Sequence, residues 1–208
     1  MVEPKRVSGK DVIRALESVR LTTNVPLKGR YSVKTFVAVA FAFLQFVCVA
    51  RAEEAFTAYG STVVFVSPDP SRWNLVHNGM VKDSKGHLLM FECNPIKDAE
   101  GRNVRPVIAI ICEQVPDSLD VIKYSIWKRT QIPLDVKKVI TYQDGSLTYR
   151  NSVGYEGEYL KGVVHKVFVA HMRHKQAGLQ VICDTTDGVY DKVEADMRDF
   201  LRSITFRE

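Results

Sequence analysis

The stretch CDTTDG at positions 183–188 brings together the side chains best suited to chemistry. A strand-like run ends here and a helical pattern begins, and a helix N-terminus lowers the pKa of a nearby thiol, so Cys183 is a candidate nucleophile. Asp184 and Asp187 are candidate calcium ligands. Nucleophilic catalysis also needs a positioned base, and the stretch lacks the alternating ligands and distant Glu of a calcium-binding helix-loop-helix. We therefore interpret both aspartates as turn and capping residues and predict no catalytic residue.

Histidine side chains are the next candidates, as metal ligands. His165 and His171 share one face of a candidate strand, but six residues at about 3.3 Å each place them roughly 20 Å apart, too far for one ion. His174 falls on the opposite face or in a turn. Only a histidine from another strand, such as His77 or His87, could complete a site, and no local spacing supports one. The pattern predicts neither a metal nor a cofactor.

Tyrosines are concentrated in the stretch that follows position 141, at Tyr142, Tyr149, Tyr155 and Tyr159. If several share one sheet face without a covering helix, they form a flat amphipathic patch of the kind on which proteins dock. The alternative is that these side chains bridge core and solvent. We take the four as the candidate partner surface.

The compartment depends on the segment VKTFVAVAFAFLQFVCVARAEEAF at positions 33–56. Positions 35–50 carry no charge over 16 residues, short of the roughly 20 that span a bilayer. Lys34 precedes this run, and Ala50 and Ala52 stand at the two positions that a signal peptidase reads. The pattern predicts a secretory signal peptide that is cleaved after Ala52, and hence an exported protein, periplasmic or secreted.

The region before Lys34 is longer than an ordinary signal-peptide n-region, and a true start near Val33 would give ordinary proportions. Residues 1–52 are therefore predicted as a leader and 53–208 as a single domain. Two alternatives remain open. The apolar run is an uncleaved N-terminal anchor, which would be the protein's one link to a membrane, or it is a buried core segment.

Cysteines in the predicted mature chain are Cys93, Cys112 and Cys183, each within an apolar run. An odd number in an oxidising compartment allows at most one internal disulfide and leaves a thiol over. The alternative is that all three are free and buried as small hydrophobic side chains. A zinc site is not indicated, because no C-x-x-C or C-x-x-H pair occurs.

Net charge argues against a nucleic-acid partner. The chain has 29 Lys and Arg against 24 Asp and Glu, but nine of the basic and three of the acidic residues lie in the leader. The remaining 20 basic and 21 acidic residues give a formal charge of −1. No clustered basic field is visible, so we predict no nucleic-acid binding.

The candidate residues must be positioned by a mixture of strands and helices. Strand-length apolar runs lie at 73–77, 87–93 and 105–113, separated by turn-rich segments. A helix is predicted at about 118–129, where Leu119, Ile122 and Ile126 follow helical spacing with Trp127 beside them.

Further strands and a last helix follow. Asp144-Gly145 predicts a hairpin and Lys161-Gly162 a second turn, between strands at 154–160 and 163–172. The C-terminal helix is the clearest element, with one apolar stripe: Val189, Val193, Met197, Phe200, Leu201 and Ile204. The order predicts an α+β fold with an antiparallel sheet of about six to seven strands and helices packed on it.

The ending GLQVICDTTDGVYDKVEADMRDFLRSITF resembles the PsbP-like fold family, which includes the photosystem II extrinsic subunit and DcrB-like exported bacterial proteins. In that family the last strand runs into a Thr/Asp/Ser turn, and the closing helix ends in a pattern similar to FLRSITF. The resemblance implies an α/β/α sandwich over residues 53–208. It also implies a binding or assembly module and transfers no catalytic residue.

We therefore expect an exported, non-enzymatic interaction or assembly module of the bacterial cell envelope, with a protein partner that the sequence does not identify. The first alternative is a carrier of a small apolar ligand held between sheet and helix, in a cavity lined by Trp127 and the aliphatic stripe. The second is a thiol or metal enzyme, which would need a pocket joining Cys183 to a histidine.

Cleavage after Ala52 predicts that the exported protein begins at Glu53. Intact-mass measurement of the protein isolated from its native host should find this N-terminus. Retention of residues 35–50 would contradict the cleaved leader and favour the anchor.

Overall fold

The computed structural model describes residues 53–81 and 86–207. The predicted leader, its start near position 33 and its cleavage site at Ala50 and Ala52 lie outside these residues. Within the described part the strands, in chain order, are β1 (Glu53–Ala58), β2 (Ser61–Val66), β3 (Trp73–Met80), β4 (Gly86–Cys93), β5 (Ile96–Lys97), β6 (Asn103–Val104), β7 (Val107–Gln114), β8 (Asp135–Thr141), β9 (Ser152–Lys161), β10 (Val163–His174), β11 (Ala177–Thr186) and β12 (Thr205–Arg207). The helices are α1 (Val121–Arg129), a 3-10 helix (Asp187–Lys192) and α2 (Glu194–Ser203).

The main sheet has seven strands in the order β3-β4-β7-β11-β10-β9-β8. Each neighbouring pair is antiparallel. The predicted α+β class with an antiparallel sheet of six to seven strands is confirmed at this level. All described residues belong to one compact unit.

One face of the main sheet, which we call the α2 face, is apolar across its central strands. Phe168, Cys183, Ile108 and Phe91 pair in one row across β10, β11, β7 and β4, and each is at most 4% exposed. The helix α2 packs here, since the ring of Phe200 lies 5.8 Å from that of Phe91. This face holds the main hydrophobic core.

A second sheet, which the sequence did not predict, completes the cover of the α2 face. Its strand order is β1-β2-β12. The Phe65 ring on β2 lies 6.3 Å from Phe91 and 5.9 Å from Phe200, so three aromatic rings join the two sheets and α2. Tyr59 and Gly60 both have positive φ, as the tight turn between β1 and β2 requires.

The C-terminal apolar stripe is buried at all six predicted positions. The helix that carries it is shorter than predicted, because residues 187–192 form a 3-10 helix and the backbone leaves helical geometry at Val193, with φ −132°. The side chain of Thr186 makes no capping hydrogen bond there. Burial of the stripe was therefore predictable, whereas the continuity of the helix was not.

The two predicted turns have different outcomes. Lys161 and Gly162 do connect β9 and β10, and Gly162 has φ +74°. The hairpin predicted at Asp144-Gly145 is present, since β8 and β9 pair antiparallel and Gly145 has φ +73°, but a longer loop replaces the two-residue turn because β9 begins only at Ser152. The intervening loop is held by Leu147, whose side chain is buried in the main core.

Burial of the α2 stripe gives a stability test. Replacing Phe200 by alanine should lower the free energy of unfolding by about 3–5 kcal/mol, because it removes the ring shared by both sheets. The matched control is Asp199→Ala, since this neighbouring carboxylate is mostly exposed and pairs only with an exposed arginine among the described contacts. Urea midpoints that shift equally for the two variants would contradict the assignment.

Candidate functional site

The helix α1 lies on the opposite face of the main sheet, which we call the α1 face, against β9 and β10. Two sets of hydrogen bonds hold its N-terminal end. The carboxylate of Asp120 accepts a hydrogen bond from the backbone N–H of Lys123 at 2.8 Å. The guanidinium of Arg173 donates to the carbonyls of Leu119 and Pro116 at 3.0 and 3.2 Å.

A buried carboxylate on β7 takes two donors from α1. The ammonium of Lys128 lies 2.5 Å from Glu113 Oε1, and the Tyr124 hydroxyl donates to the same oxygen at 2.8 Å. The Lys128 and Glu113 side chains are only 4% and 9% exposed. The Lys128 ammonium also lies 4.5 Å from the Trp127 ring centre. Burial, together with the negative Glu113, holds the pKa of Tyr124 well above its usual range.

A second buried polar group lies beside the first. Ser125 Oγ is 2.9 Å from the Tyr155 hydroxyl and 3.0 Å from His171 Nδ1. Burial, and secondarily the charge of Lys128, lower the pKa of His171 to about 3, so the imidazole is neutral. Its Nε2 has no hydrogen-bond partner among the described residues, and the ring stands edge-to-face with Tyr124 at 5.7 Å.

A glycine in the sheet makes room for α1. A Cβ atom at Gly178 would lie 2.3 Å from Val115 Cγ2 and 2.9 Å from Tyr124 Cζ, closer than such atoms approach in proteins. Tyr124 therefore reaches Glu113 across β11 because position 178 has no side chain.

The outward side of α1 carries two isoleucines beside the exposed cations Lys123 and Arg129. Ile122 and Ile126 are 53% and 55% exposed, and Val139 and Tyr142, on and after β8, are 51% and 45% exposed. At 3.6 residues per turn, both isoleucines lie on the side of Ser125 that is away from Tyr124 and Lys128. Ser125 contacts Tyr155 on β9, so this side of α1 faces β8. Val139 pairs with Tyr155 and so shares its face, and we call Ile122, Ile126 and Val139 the α1–β8 surface.

The helix predicted at about 118–129 is present at Val121–Arg129, but Ile122 and Ile126 do not face the sheet as the ligand-carrier alternative requires. The side chains that α1 buries are Tyr124, Ser125 and Lys128. The space predicted as the cavity of a ligand carrier is occupied by these hydrogen-bonded side chains.

The orientation of α1 depends on a balance between apolar burial and buried polar contacts. Because the two isoleucines are already about half buried, burying the rest of each would stabilise by about 0.8–1.5 kcal/mol. Turning α1 would separate Lys128 from Glu113, and breaking a buried ion pair costs about 3–5 kcal/mol. Each further buried group left without a partner, such as His171, adds about 1–3 kcal/mol. The polar contacts outweigh the apolar burial that they forgo.

The four tyrosines predicted as a partner surface do not form one. Tyr155 is 8% exposed and lies under α1. Tyr149 is on the other side of the sheet, where its ring lies 5.0 Å from Phe206. Tyr159 donates to Asp184 at 2.6 Å. Tyr142 is 45% exposed in the loop that follows β8.

Asp184 was interpreted as a turn or capping residue, and this was wrong. It lies within β11, and its carboxylate also contacts His165 Nδ1 at 2.9 Å. The rings of His165 and Tyr159 stack at 4.7 Å. At the far end of the α1 face, hydrogen bonds thus join the side chains of Tyr159, His165 and Asp184. Asp187 stands apart from them, in the first turn of the 3-10 helix.

The cysteines of the described domain are free and buried. Burial raises the pKa of Cys183 and raises that of Cys112 to about 12. The Cys183 thiol faces the carbonyl of Met197 at 4.0 Å. It has neither the exposure nor the lowered pKa of a reactive cysteine. Within residues 53–81 and 86–207, no group of three or more His, Cys, Asp or Glu side chains could hold a metal ion.

Comparison with known proteins adds little. No family model matches the chain, and no curated protein matches it. Among solved structures, PA94, a Pseudomonas aeruginosa protein of unknown function, is 10% identical with a TM-score of 0.47, covering 75% of this chain and 98% of its own. This likeness is too weak to identify a shared fold or function. No helix within the described residues has the length and apolar character needed to cross a membrane.

The neutral, buried His171 predicts a pH dependence of stability. Its pKa is lowered in the folded state, so between about pH 6.5 and 3 the unfolded chain binds a proton that the folded chain does not. Stability therefore falls as the pH falls through this window. In His171→Gln the slope should be smaller by up to about 1.4 kcal/mol per pH unit.

Urea titrations at several pH values between 6.5 and 4 measure this slope. The carboxylates are the same in both proteins, so the difference isolates the imidazole. Equal slopes would show that His171 is not buried in its neutral form.

Proposed function

We propose that this protein is an exported, non-enzymatic interaction module of the bacterial cell envelope, and that it docks a protein partner on the α1–β8 surface. The observation that carries the proposal is the orientation of α1, which exposes Ile122 and Ile126 while burying a lysine. A helix of a soluble domain ordinarily turns its apolar side inward. Clustered apolar side chains on a rigid element are typical of interaction sites.

The proposed fold is the PsbP-like α/β/α sandwich. In its favour, α1 and α2 lie on opposite faces of one antiparallel sheet, and the closing helix buries its whole stripe. The sheet β1-β2-β12 beside α2 is an addition to that arrangement. The export part of the proposal rests on the sequence of residues 33–52.

A protein fits this surface better than a lipid bilayer does. The charged side chains beside the isoleucines carry both signs, with Asp120 and Lys123 57% and 65% exposed at one end of α1 and Arg129 at the other. A polar rim of mixed sign around an apolar centre is the usual anatomy of a protein interface. Anionic membranes instead attract surfaces whose rim is basic throughout.

The test compares partner recovery by the tagged mature domain with recovery by two variants. Ile122→Asp with Ile126→Asp should reduce it by more than about tenfold, because it places charges at the centre of the contact. The matched control is Leu75→Asp, which changes a side chain of similar exposure, 49%, on the opposite edge strand. Circular dichroism establishes that each variant is folded.

Two outcomes would contradict the proposal. Equal recovery by the double variant and the control would place the contact elsewhere. Sedimentation of the wild-type domain with anionic vesicles, abolished by the double variant, would make the surface a membrane contact and not a protein contact.

A further inference from the structure

We propose that Glu113 and His171, two residues of the sheet, set which side of α1 faces solvent and are thereby the positioning residues of the α1–β8 surface. Their effect on α1 is a property of the fold alone. Its consequence for docking rests on the proposed function.

The residues of α1 do not by themselves decide its rotation. Counted around the helix at 3.6 residues per turn, Ile122 and Ile126 lie on nearly the opposite side from Tyr124 and Lys128. Either side is large enough to pack on the sheet. By hydropathy, the side with the isoleucines is the one expected to be buried. The observed rotation is the one that hydropathy disfavours.

Two polar residues of the sheet determine the rotation of α1. Glu113 accepts from both Lys128 and Tyr124, and His171 meets Ser125. Glu113 and His171 are themselves 7% and 0% exposed, so water cannot take over these contacts if α1 turns. A rotated helix would leave a buried carboxylate and a buried imidazole without partners.

The two contacts act on different flanks of α1. Glu113 is on β7 and His171 on β10, with β11 between them. Lys128 and Tyr124 reach toward β7, whereas Ser125 reaches toward β9 and β10. Two attachments on opposite flanks prevent rotation about the helix axis in either sense, which one contact alone would not do.

A thiol probe at position 126 reports this rotation without any partner. Ile126→Cys is made in a chain whose Cys48 is replaced by serine, and its alkylation by a maleimide is followed at neutral pH. Cys93, Cys112 and Cys183 are buried, so they contribute little labelling. The reference probe is Leu75→Cys, on a strand far from α1 in the sheet order.

The decisive background combines Glu113→Leu with Lys128→Met, which replaces the ion pair by apolar side chains. It also leaves the buried Tyr124 hydroxyl without its acceptor, which favours turning that side of α1 toward solvent. We expect α1 to turn its isoleucine side inward, so that the thiol introduced at position 126 is alkylated at least about tenfold more slowly than in the wild-type background. The alkylation rate of the reference probe at position 75 should not change. Equal rates for the position-126 thiol in both folded backgrounds would overturn the proposal.

If this background fails to fold by circular dichroism, Glu113→Gln with Lys128→Met decides the question. It removes the charges and keeps a hydrogen-bond acceptor for Tyr124. Slower alkylation of the position-126 thiol is again the expected result, and an unchanged rate again overturns the proposal.

Partner recovery keeps the two proposals separate. Loss of recovery in Ile122→Asp with Ile126→Asp, combined with an unchanged alkylation rate at position 126 in the apolar background, supports the docking surface and rejects the role of Glu113. A slowed rate at position 126 with unchanged recovery supports the positioning role and rejects the docking surface.

Discussion

A carboxylate buried near the end of β7 determines what this domain presents to its surroundings. Glu113 cannot be left alone in a water-poor site, so the helix above it must bring a cation and a hydroxyl. Those two donors occupy the side of α1 that apolar residues would otherwise fill. The exposed isoleucines are a consequence of this electrostatic requirement.

The two faces of the main sheet are therefore stabilised by different interactions. The α2 face is closed by hydrophobic packing, in which the rings of Phe65, Phe91 and Phe200 join three elements. On the α1 face, the described contacts that hold the helix on the sheet are hydrogen bonds and the Lys128–Glu113 ion pair. Apolar packing tolerates small shifts, whereas hydrogen bonds fix direction, so the second face holds its helix in a defined rotation.

Sequence patterns predicted the parts of this fold that depend on local periodicity. The C-terminal stripe and the β9–β10 hairpin are examples, since each is encoded within about 20 neighbouring residues. The rotation of α1 was missed because its causes are distant in the chain. Ser125 meets residues 30 and 46 positions away. The tyrosine surface failed for the same reason, because nothing local tells which tyrosines a helix will cover.

The second sheet was missed because its closing strand is three residues long and pairs with β2, from Thr205 to Val64. That pairing has a consequence for the order of folding. Contacts between distant segments form late, because a long loop must be ordered before they are made. During synthesis the chain can form its β9–β10 hairpin well before β12 leaves the ribosome. The aromatic core under α2 therefore cannot close until α2 and β12 have both been synthesised, so its contacts form after those of the β9–β10 hairpin, which are local in the chain.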